Sequence, residues 1–177
     1  MKKDDCFLMR GASITEPMTV YCITGMKKDK IWARTLSVSD NSVDGWPTSR
    51  EYDGPIPEDA ILLPPDSWQW GKNQMLSFID EIYGYLRKKT SKRKSKVFVG
   101  GRYIGHSGIC TIKNMDEEKI KYRLFRLDED NISPKWTGEY PLKNFEGRYA
   151  VSEEVYNEVM RRYNNLLTRL RERFFSS

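Results

Sequence analysis

Histidine is almost missing from this chain: His106 is the only one in 177 residues. Cysteine is scarce too, with Cys6, Cys22 and Cys110 far apart and odd in number. Such spacing argues against a disulfide framework and against a Cys/His zinc site. No run approaches the roughly 18 consecutive apolar residues of a membrane span. The opening MKKDDCFLMR sets two acids after its lysines and has no signal-peptide core. The expectation is a soluble, cytoplasmic chain with no cofactor and no membrane partner. Phosphate-cradle patterns are lacking as well. The glycine-rich GGRYIGHSG, residues 100–108, is neither GxGxxG nor the P-loop GxxxxGK. It reads as a turn leading into a strand that starts near Ile109.

What is present is charge, unevenly spread. Residues 1–86 hold 9 Lys/Arg against 13 Asp/Glu, and residues 97–177 hold 14 against 12. Between them RKKTSKRKSK, residues 87–96, carries 7 cations and no acid. The formal net charge of +5 is therefore the work of one short run and not of a broad basic surface. With 22 aromatic side chains the remainder has bulky material for a core, which disordered chains usually lack.

The chain also repeats itself. VYCITGMKKDKIWARTL (20–36) is echoed 89 residues later by ICTIKNMDEEKIKYRLF (109–125), with 5 identities in 17 positions: Ile23/Ile112, Met26/Met115, Lys30/Lys119, Ile31/Ile120 and Arg34/Arg123. The same features follow each copy in the same order. Asp40-Asn41 matches Asp130-Asn131, Trp46 matches Trp136, and Glu51-Tyr52 matches Glu139-Tyr140. A proline-led segment and a helix-like stretch then close each copy. Ordered recurrence of this kind points to a duplicated unit.

Within each copy, two β-branched and aromatic runs flank a charged turn, a hairpin pattern. In the second, Ile120, Tyr122 and Leu124 alternate with Lys119, Lys121 and Arg123, so a half-buried strand with a basic outer face is expected. The closing stretches repeat every three or four residues: Met75, Phe78, Ile79, Ile82 and Leu86, then Val155, Val159, Tyr163, Leu166, Leu170 and Phe174. Both predict amphipathic helices. Ser152 fits as an N-cap, and Asp66 with Gln69 as a capping box. The resulting expectation is an α+β chain of two tandem small β-rich units, each followed by an amphipathic helix. The units are 1–88 and 97–177, joined by a basic connector at 89–96. Each resembles SH3-like, partly open barrel modules in size and hairpin content. A single α+β domain with both helices packed together is the alternative.

Candidate sites follow from these features. Arg87, Lys88, Lys89, Lys92, Arg93, Lys94 and Lys96 could neutralise nucleic-acid phosphates, aided by Lys119, Lys121 and Arg123. Against this, the first three suit a helix C-terminus and the rest a solvated linker. Trp46 and Trp136, expected in matching loops, could stack on a partner or plug one end of a small barrel. His106 and Ser107 are adjacent, which on an extended strand sends them to opposite faces, so a base–nucleophile pair is not expected. The carboxylates at 116–118 and 128–130 lack the spacing of a calcium loop and read as hairpin tips. The functional expectation is a non-catalytic binding or assembly module whose partner is a protein or a second copy. The alternative is a nucleic-acid-binding protein. No small-molecule substrate is implied.

Overall fold

The computed structural model describes residues 1–9, 17–28, 30–53, 58–90, 95–145 and 148–175, with the backbone alone for 46–53 and 175. In chain order its elements are β1 (Cys6–Met9), β2 (Met18–Lys27), β3 (Lys30–Val38), β4 (Val43–Asp53), β5 (Ile61–Leu63), α1 (Ser67–Lys89), β6 (Arg102–Gly105), β7 (Gly108–Met115), β8 (Lys119–Asp128), β9 (Asn131–Pro141) and α2 (Glu153–Phe175). A single 3-10 turn, Leu142–Asn144, follows β9. The class is α+β, with open antiparallel sheet and two helices, and β-rich segments alternate with helices as expected.

Two compact units divide these elements. The first comprises Met1–Ser77, Glu129–Asn131 and Asn165–Ser177, and the second Phe78–Asp128 and Ile132–Asn164. Each unit thus holds one half of each helix, where the repeat pattern suggests that each sheet keeps its own. A helix of 23 residues runs about 35 Å at 1.5 Å per residue.

In the first unit the strand order is β5-β1-β2-β3-β4. In the second it is β9-β8-β7-β6. There the segment 149–151 continues beyond β6: Tyr103 bridges Ala150, and Val151 N–H donates to Arg102 O at 2.8 Å. The two sets of ladders agree residue for residue. Cys6↔Cys22, Phe7↔Tyr21, Leu8↔Val20 and Met9↔Thr19 correspond to Arg102↔Thr111, Tyr103↔Cys110, Ile104↔Ile109 and Gly105↔Gly108. Phe7↔Leu62 corresponds to the Tyr103–Ala150 bridge. Both hairpins carry a β-bulge at the same place, between Ile23 and Gly25 and between Ile112 and Asn114. Before each first strand a residue of positive φ, Asp4 at 73° or Gly100 at 86°, donates its N–H to the carbonyl of Ile23 or Ile112.

Both sheets are covered on two faces. On one face of the first lie Phe7, Ile23 and Ile31 with Met9, Tyr21 and Ala60 packed on them. On one face of the second lie Tyr103, Ile112 and Ile120, with Val97, Cys110 and Phe145. Helices cover the other face. In the first unit Gly71 lets α1 approach so closely that a Cβ would lie 2.7 Å from Leu36 Cδ1 and 3.0 Å from Phe174 Cζ. Buried Lys72 donates there to the carbonyls of Gly45, at 3.2 Å, and Glu129, and pairs with Asp130 at 3.1 Å. In the second unit Tyr163 meets Phe78 and Phe125 edge-on or tilted, and its hydroxyl donates to Ile132 O at 3.2 Å.

The helix starts divide the sequence expectations. Ser152 Oγ accepts from Val155 N–H at 3.2 Å, the cap expected of it. The capping box at Asp66 does not form. Gln69 donates instead to Asn73 Oδ1 at 2.9 Å. No described helix is long and apolar enough to cross a membrane.

A candidate pocket beside the turn at His106

β6 and β7 are joined by His106 and Ser107 alone, a two-residue connection that the flanking glycines allow. Gly108 has φ 137°, and a Cβ there would lie 1.9 Å from Phe125 O, so only glycine lets the turn close onto β8. Leu127 N–H donates to Ser107 O at 2.7 Å and ties the turn down. The glycine-rich stretch therefore holds a strand, β6, as well as the expected turn.

Under this turn opens a small cavity of about 120 Å³, lined by Gly105, His106, Ser107, Cys110, Tyr122, Leu124, Tyr140, Phe145 and Arg148. Two small residues create it. A Cβ on Gly105 would sit 2.9 Å from Cys110 Sγ, so Gly105 cannot carry a side chain unless Cys110 moves. Gly138 lets Tyr122 lie flat across β9, since a Cβ there would meet its hydroxyl at 2.6 Å. Phe145 forms a further wall, held edge-on to Tyr103 at 5.7 Å between ring centroids.

Arg148 supplies the charge. Its guanidinium lies over the Phe145 ring, 4.8 Å from the centroid, and Nη1 makes a long 3.4 Å contact with Ile104 O. Its Nε is buried and has no hydrogen-bond partner. Burial pushes the Cys110 thiol up to about 11, an effect that the Arg148 charge offsets only in part. Burial likewise raises the Tyr122 hydroxyl, followed by the influence of Cys110 and Tyr140. Both groups are neutral at ordinary pH. Among the described residues no hydrogen bond joins His106, Ser107 and Cys110, so no nucleophile is set against a base.

The first unit sets different side chains at the equivalent positions. By ladder position Met9 stands where Gly105 does, Tyr21 where Cys110 does, and Ala60 where Arg148 does. Tyr21 stacks on Phe7 with centroids 5.0 Å apart and planes 6° from parallel. The same side of that sheet is packed with side chains.

The cations singled out in the sequence lie on several elements. Arg87, Lys88 and Lys89 form the exposed last turn of α1, and Lys96 is exposed beyond it. Lys92, Arg93 and Lys94 lie outside the described residues. Lys119, Lys121 and Arg123 share the exposed side of β8, as their alternation predicts. Lys121 pairs with Glu139 at 3.2 Å. Trp136 is not in a loop but on β9, 45% exposed, with the Arg126 guanidinium 4.5 Å above its ring. An exposed ring under a cation is no barrel plug. Trp46 is likewise on a strand, β4, and its side chain lies outside the described residues.

The acidic clusters act as hairpin tips, as expected. Asp116 Oδ1 accepts from the N–H groups of Glu118 and Lys119, which holds its carboxyl below the usual range. No group of three or more metal-ligating side chains assembles among the described residues. A larger open cleft, about 790 Å³, lies along Tyr85, Lys89, Glu153, Glu154, Asn157, Glu158, Arg161 and Arg162. Three of its charges satisfy one another. Glu158 accepts from both Arg161 and Arg162, which draws its carboxyl down to about 2, and Arg162 also pairs with Glu81. Farther along the same helix Arg171 pairs with Asp40 at 2.9 Å.

No protein-family model, no curated protein and no solved structure matches the chain.

Proposed function

We propose that the chain is a non-catalytic binding or assembly module, built from a duplicated SH3-like β unit, with a protein as its partner. One observation carries the reading: two sheets with the same ladders and bulges, the second of them hollowed beneath its turn where Met9 and Tyr21 fill the equivalent positions of the first. A scaffold kept twice, with an opening in one copy, suits recognition better than chemistry. Neutral Cys110 and the lack, among the described residues, of a hydrogen bond joining His106 to Ser107 or Cys110 support the non-catalytic part.

The test is association of the intact chain. Gel filtration with light scattering reports self-association, and affinity capture followed by reconstitution from purified components identifies a partner. A strictly monomeric chain that retains no reconstitutable partner overturns the proposal. A salt series with short DNA and RNA duplexes belongs to the same experiment. The exposed end of α1 gives the nucleic-acid reading its remaining support. Tight binding that falls steeply with salt and is lost when Arg87, Lys88, Lys89, Lys92, Arg93 and Lys94 become glutamine would put nucleic acid in the protein's place.

A further inference from the structure

We infer that the pocket at Arg148 takes one carboxylate on a short stem. The carboxylate comes either from a protein partner, as a chain terminus or acidic side chain, or from a small free acid. Only the choice of source rests on the binding-module reading.

Four observations converge. First, the cavity is made by small residues at positions that Met9 and Tyr21 fill in the first unit. A tenant of matching size would bury the apolar part of that lining. Second, among the described residues the lining includes Arg148 and no carboxylate, so an anion meets the attraction of the guanidinium. Third, Arg148 Nε is buried and unpartnered, and its one hydrogen bond, to Ile104 O, is long. A guanidinium is a planar fork of five N–H donors that matches the two oxygens of a carboxylate. Fourth, the opening is small, about 120 Å³, and suits a carboxylate with two or three carbons better than a nucleotide or a sugar ring. Tyr122, Leu124 and Phe145 give that stem apolar walls.

The experiment is a titration of the isotope-labelled intact chain, followed by amide NMR at constant ionic strength. Sodium propionate, propionamide and inorganic phosphate are the probes. Propionate should give saturable shifts confined to residues 105–110, 122–124 and 148, with affinity in the millimolar range expected of so small a ligand. Propionamide should bind at least tenfold more weakly. Arg148→Gln should abolish the shifts, Arg148→Lys should keep a weakened response, and Cys110→Leu should abolish them with Arg148 intact. The spectrum of each variant reports its own folding. Equal binding of propionamide, tighter binding of phosphate, or an unchanged response in Arg148→Gln would overturn the assignment. Silence to propionate would also overturn it, leaving the association test above to judge the module reading separately. A second arm compares Gly-Gly-Ala with its C-terminal amide and with amidated Gly-Glu-Gly. Binding of either free-carboxylate peptide supports a protein source. Propionate binding without peptide binding overturns that source and assigns the pocket to a free acid.

Discussion

Phe7 and Tyr103 hold the same ladder position in the two sheets, yet only Tyr103 has a hydroxyl to place. It donates to Lys96 O at 2.9 Å and accepts from Phe98 N–H at 3.2 Å, which anchors the chain ahead of β6. One step along, Cys6 faces Cys22 in the first sheet, where Arg102 faces Thr111 in the second. Two steps from Phe7 and Tyr103, Met9 and Gly105 part company over whether space is filled. Backbone hydrogen bonds, a bulge and one residue of positive φ are common to both. What fills the pleats is not. A ladder specifies where side chains stand and leaves their size and charge free to diverge, provided that each face still finds cover.

The largest expected effect tests that shared ladder. Phe7→Ala and Tyr103→Ala each remove a fully buried ring and should each cost about 3–5 kcal/mol in urea unfolding. Tyr103→Phe should cost only about 1 kcal/mol, the hydroxyl's share. A Phe7→Ala loss below about 1 kcal/mol beside a full loss at Tyr103 would break the equivalence.

Exchanging the fillings sharpens it. Tyr21→Cys opens in the first sheet the space that the second already has, and should cost about 2–4 kcal/mol. Cys110→Leu closes the second sheet's space and should gain about 0.5–1 kcal/mol. Equal losses from both, again in urea unfolding, would mean that the cavity is already tightly accommodated and that the contrast in packing is smaller than the geometry implies.

The smallest effect concerns the thiols. Cys22 is drawn down to about 7, first by the neighbouring Cys6 thiol and then by Arg34, against burial and Asp4. Cys6 is pushed up by the same pairing and by burial, and Cys110 rises to about 11. Iodoacetamide labelling read by mass spectrometry should reach half its limiting rate at Cys22 near pH 7, with Cys110 unlabelled until well above pH 9. The thiols also oppose each other in stability. A lowered value stabilises the fold above the ordinary 9.0 and loses that as pH falls through about 7. A raised one does the reverse, so the Cys110 contribution is lost as pH climbs from 9.0 through about 11. Identical labelling profiles would remove the distinction.

Much of this framework was legible in the amino-acid order. Hairpin periods located β2, β3, β7 and β8, and the 3.6-residue rhythm located both helices, because those signals are local. Ser152 could be recognised as a cap for the same reason. The short β1 and β6 were not legible. Four residues carry little periodicity, and their partners β5 and 149–151 lie far along the chain. Trp46 and Trp136 looked like loop residues beside Pro47 and Pro134, yet each sits in a strand of 11 residues. The pocket was half visible. The 89-residue shift sets Tyr21 on Cys110, but Gly105 against Met9 needs a shift of 96 and Arg148 against Ala60 one of 88. Insertions between the copies hid two of its three defining contrasts. That each helix serves both units is a matter of tertiary packing, and no local pattern announces it.

The matched bulges at Thr24 and Lys113 have a kinetic corollary. Two hairpins with interchangeable edges in one polypeptide invite strand swapping, β2 seeking β8 in place of β3. Since the bulges are alike, they offer no password against the wrong mate. Discrimination falls to the connections: residues 28–29, and 116–118 where Asp116 clasps two amides, are so short that the proper neighbour closes long before a distant rival can arrive.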